Sequence, residues 1–107
     1  MKPTALVVGL LAGFATSVRA DPATYSCTSH EHSRPTYLQL DEKARVVRMG
    51  RSATSLDVVE PAIFGKQSVT WAHPVGTISW SYTFDQATGV LTWGPPRSPS
   101  QDRCKKI

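Results

Sequence analysis

The chain contains no asparagine, so it offers no N-glycosylation sequon. No window repeats apolar residues at i, i+3, i+4 and i+7 for three helical turns, which argues against a helical domain. There is no Gly-x-Ser-x-Gly elbow, no phosphate-binding glycine loop and no His-Glu-x-x-His. The hydroxyl-rich run Gly50-Arg51-Ser52-Ala53-Thr54-Ser55 has no histidine near it and reads as a loop or edge. Nothing here argues for catalysis, and the expectation is a protein that is not an enzyme and carries no cofactor.

Long apolar runs are also missing. The one apolar stretch, Ala5 to Ala15, is shorter than the roughly 18 to 20 residues a membrane-spanning helix needs. It follows Lys2 and leads to Val18-Arg19-Ala20, the pattern of a secretory signal peptide cleaved after Ala20. Residues 21–107 then form one domain of 87 residues, enough for a single modest core. Loss of Lys2 and Arg19 leaves ten basic residues against eight acids, so the net charge falls from +4 to +2. Arg45, Arg48 and Arg51, and the tail Arg97, Arg103, Lys105 and Lys106, read as solvated surface. No nucleic-acid partner and no membrane insertion after signal removal are expected.

The cysteines number only two, Cys27 and Cys104, near the two ends of the exported part. In an oxidising compartment such a pair reads as a disulfide that staples a small domain, so the ends should lie close together.

What the sequence has is alternation. Short runs start at Tyr25, Tyr37, Arg45, Leu56 and Ser68, separated by polar or Pro/Gly clusters. Ser29 to Pro35 reads as a polar loop, Pro61 as a stop, and His73-Pro74-Val75-Gly76 as a turn. Ile78, Trp80, Tyr82 and Phe84 then share one face, with Ser79, Ser81 and Thr83 on the other. A four-residue loop Gln86-Ala87-Thr88-Gly89 sets Tyr82 opposite Trp93 and Phe84 opposite Leu91, leaving every large group on one side. A five-residue loop would turn Leu91 and Trp93 to the polar side. The shorter loop also places Gly89 where a left-handed residue is wanted and lets Asp85 cap the turn.

Seven strands follow from this count, with an eighth around Asp102 to Lys105. The expected fold is all-β, a small antiparallel barrel or sandwich with one disulfide, a meander-like barrel being favoured. The ring row reads first as the core side of a hairpin. An open barrel end would still make Trp71, Trp80, Tyr82 and Trp93 candidate contacts for a ligand or partner. His30 and His32, at i and i+2 with His73 as a third ligand, are weak metal candidates.

Tyr25-Ser-Cys27, Cys104, and the run from Ile78-x-Trp80 to Phe84-Asp85-x-x-Thr88-Gly89-x-Leu91 resemble small exported proteobacterial proteins of unassigned function. The Tyr-x-Cys opening and end-to-end bridge are loosely similar to periplasmic C-type lysozyme inhibitors, which implies a small β-barrel. Ser52-Ala53-Thr54-Ser55-Leu56 lacks the glycine and tyrosine of that family's Ser-Gly-x-x-Tyr motif. The expected activity is binding of a protein partner or a small apolar ligand by a periplasmic or secreted domain. The alternatives are inhibition of a cell-wall hydrolase and metal capture by His30 and His32.

Overall fold

The computed structural model describes residues 21–29 and 32–107, with the side chains of His32 and Ser33 outside that description. The expected signal segment, residues 1–20, also lies outside it. The described chain is all-β, without a helix. Its strands are β1 (Ala23–Ser29), β2 (His32–Asp41), β3 (Val46–Gly50), β4 (Val58–Pro61) and β5 (Ile63–Phe64). After them come β6 (Ser68–Val75), β7 (Ile78–Asp85), β8 (Val90–Gly94) and β9 (Ser100–Lys106).

All nine belong to one antiparallel sheet in the order β4-β3-β2-β1-β9-β8-β7-β6-β5. Each strand pairs with its successor except β4 with β5, and β1 pairs with β9, so the meander curls into a nearly closed barrel. The remaining seam is mid-chain. Only Ala62 separates β4 from β5, and both run in the same direction, because β4 is antiparallel to β3 and β5 to β6. Residues 58–64 thus act as one bent strand that leaves β3 for β6. The handover shows in two backbone bonds: Ala62 N–H donates to Arg45 O at 3.0 Å and Gly65 N–H to Ser68 O at 2.8 Å.

The alternation decides what is inside. Tyr25, Cys27, Leu38, Leu40, Val47, Met49, Val69, Trp71, Phe84 and Leu91 are buried. Phe84, fully buried, meets the Tyr25 ring at a centroid distance of 4.8 Å. Cys27 and Cys104 are directly opposed on β1 and β9 and joined by the disulfide, so the staple lies where the first and last strands meet.

The β7–β8 hairpin has the register that side-chain parity requires. Tyr82 opposes Trp93, Phe84 opposes Leu91, and Asp85 opposes Val90. Asp85 Oδ1 accepts the N–H groups of Ala87 and Thr88, and Gly89 has φ +77°. Cys104 N–H also donates to Gly89 O at 2.7 Å, and a Cβ on Gly89 would lie 2.9 Å from Cys104 O. Gly89→Ala therefore combines left-handed strain with a clash against the strand that carries the disulfide. The expected loss is roughly 1–3 kcal/mol in urea unfolding; unchanged stability would contradict this packing.

Several expected boundaries need correction. The Ser29 to Pro35 loop is shorter, because β2 begins at His32 and runs through Pro35. His73 to Val75 is strand rather than turn, and the chain reverses at Gly76-Thr77. Pro61 ends β4 instead of stopping a run at Val59, and the two-residue β5 has no counterpart in the expected list. The prolines misled for one reason. A proline is excluded only where the strand on its N–H side needs that hydrogen bond. Pro35 lies above the pairing of β2 with β3, Pro61 lies at the seam, and Pro74 lies beyond the reach of β5.

Candidate functional site

Three strands build an aromatic wall at the upper end of the barrel, where β3 and β8 end and β7 and β9 begin. Trp71 on β6, Tyr82 on β7 and Trp93 on β8 are direct cross-strand neighbours. Their rings stack: Trp71 and Tyr82 at 5.3 Å and 7°, Tyr82 and Trp93 at 6.3 Å and 13°. Trp80 tilts against Trp93 at 5.4 Å. The structure thus brings all four candidate rings into one contiguous row.

Their depths differ. Trp71 is buried, and its Nε1–H has no acceptor among the described residues. It backs Tyr82 from behind. Tyr82, Trp80 and Trp93 are half-buried, while Ile78 at the head of the same face is 53% exposed. The reason is the unequal length of the strands. β8 reaches only Ser81 and β5 only Thr70, so the top of the β6–β7 hairpin stands above its neighbours.

Tyr82 and Trp93 line a cavity of about 670 Å³ that opens at this end. Leu91 and Asp102 complete the ring-bearing side. Arg34, Pro35, Thr36 and Tyr37 of β2, with Met49 and Arg51, form the other. Asp102 is only 4% exposed, and its Oδ1 accepts the Trp93 indole N–H at 3.0 Å. Arg34 and Arg51 are exposed and make no ion pair among the described residues. Arg48 differs: it holds Gln39 and, at 2.9 Å, the Asp41 carboxylate. That guanidinium, with the Ala44 N–H, lowers the Asp41 pKa from its ordinary value. The run Arg45, Arg48, Arg51 is therefore no stripe. Arg45 lies in the β2–β3 turn with φ +59°, Arg48 is tied to β2, and Arg51 faces the cavity.

Burial pushes the Tyr82 phenol above its ordinary pKa of 10.0, and the Glu60 and Asp102 carboxylates add to the rise. A raised value means the folded state holds this proton more tightly. The associated stability is complete below about pH 10 and is lost as pH rises through the raised folded value. Ultraviolet titration should show a late tyrosinate component that Tyr82→Phe removes. The same variant should lose less stability than the parent above pH 10; equal losses would contradict the assignment.

Glu60 belongs to the seam. His73 Nδ1 and Glu60 Oε2 lie 2.6 Å apart, joining β6 to β4 by side chains at a level where the two strands share no ladder. This is where the structure places the third metal candidate. His30 and the side chain of His32 lie outside the described residues, and within them no three metal-ligating side chains gather.

Asp102, Arg34 and Met49 were not singled out from the sequence. A signal for Asp102 existed: it stands two residues before Cys104, so it shares the face of the cysteine that bonds into the barrel. Arg51 likewise continues the inward alternation of Val47 and Met49. Compared with known protein families, curated proteins and solved structures, the chain matches none.

Proposed function

We propose that the chain is an exported, non-catalytic β-domain that binds a small amphipathic ligand in the open upper end of its barrel. The observation that carries this reading is the cavity itself. It has an apolar and aromatic side from Tyr82, Leu91 and Trp93, and charged groups converge on it from both walls. Its size falls within the roughly 300–1,000 Å³ typical of small-ligand sites. The signal-like residues 1–20 and the disulfide support export, and no described helix is long and apolar enough to cross a membrane.

The test uses anilinonaphthalene sulfonate, which carries fused rings and one anionic group. The dye should brighten saturably with one site per chain, and Trp93→Ala should weaken its binding at least tenfold. Absence of saturable binding, or binding indifferent to Trp93→Ala, would overturn the reading.

A further inference from the structure

Resting on that reading, we propose that the cavity takes a short peptide with free ends, two or three residues long. Its ammonium group would sit on Asp102 and its carboxylate at Arg34 and Arg51.

Three observations support this. The first is the state of Asp102. It is 4% exposed, faces the cavity, and has no cationic partner among the described residues; the Trp93 indole N–H is the side-chain donor it engages. A carboxylate so buried is under-compensated by one neutral donor. An ammonium group supplies the missing charge.

The second is the opposite wall. Arg34 and Arg51 come from the top of β2 and the end of β3, and neither pairs with a carboxylate among the described residues. Guanidinium groups are suited to bidentate capture of a carboxylate. The cavity is therefore negative on one side and positive on the other, so a ligand with a charge at each end can engage both walls where a singly charged one engages only one.

The third is length. A cavity of about 670 Å³ has room for two or three residues, each spanning roughly 3.3–3.6 Å when extended, with an end at each wall. Leu91 and Met49 between the poles suit an apolar side chain.

The experiment compares the dipeptide Phe-Leu with its N-acetyl form and its C-terminal amide, by calorimetry on the purified disulfide-bonded protein. Each cap should weaken binding at least tenfold. Asp102→Asn keeps an oxygen for the Trp93 indole, and should bind the free peptide no better than the parent binds the acetylated one. Arg34→Gln with Arg51→Gln should bring the free peptide down to the amide. Equal affinity for free and capped peptides would overturn the proposal, as would a folded Asp102→Asn variant that binds the free peptide normally. If a variant does not fold, the capped series on the parent decides. Dye binding without peptide discrimination rejects the peptide and leaves the cavity reading standing; loss of both rejects both.

Discussion

The Cys27→Ala/Cys104→Ala double variant is expected to lose about 4 kcal/mol of stability relative to the oxidised parent. The two cysteines are 77 residues apart in sequence but oppose each other on paired strands. The bond therefore asks little rearrangement of the folded barrel and restricts mainly the unfolded chain. Domains of this size have only about 5–15 kcal/mol in total, so a large share disappears. The melting temperature should fall by roughly 15–30 °C at 4–8 °C per kcal/mol. Urea unfolding of the two proteins checks the free energy directly. A loss below about 1 kcal/mol would mean that β1 and β9 hold together without the staple.

Phe84→Ala should cost about 3–5 kcal/mol, while Thr83→Ala beside it should stay within about 0.5 kcal/mol. Phe84 is fully buried under the Tyr25 ring, and Thr83 is exposed on the outer face of the same strand. Adjacent residues with opposite outcomes report which way β7 faces. Comparable costs at both positions would contradict the register that sets Tyr82 against Trp93 and Phe84 against Leu91.

That register was legible in the sequence because it depends on a local count. Side-chain parity through a four-residue loop admits one arrangement of Phe84, Leu91, Tyr82 and Trp93, and Asp85 and Gly89 agree with it. The pairing of Cys27 with Cys104 was legible for a different reason, the small number of cysteines. The bent strand from Val58 to Phe64 was not, since its two halves pair with strands on opposite sides of the seam. Neither half is long enough to show a period of its own. Pro35 and Pro74 looked like breaks because a sequence does not show which side of a strand lacks a partner.

The site divides along the same line. Its aromatic wall, Trp71, Tyr82 and Trp93, lies on consecutive strands and could be read from alternation. Its charged groups come from β2, β9 and the residue just after β3, and curvature of the sheet brings them to face the rings. Glu60 and His73 across the seam are a similar case.

The central claim is that Tyr82 and Trp93 of the aromatic row wall an open cavity, and the indole resonances of nitrogen-labelled protein test it most directly. During titration with anilinonaphthalene sulfonate, the Trp93 N–H signal should move most, because its donor rests on Asp102 in the cavity wall. Trp71, buried behind Tyr82, should move less. A dye that binds while the Trp93 signal stays still would place the ligand elsewhere and contradict the account.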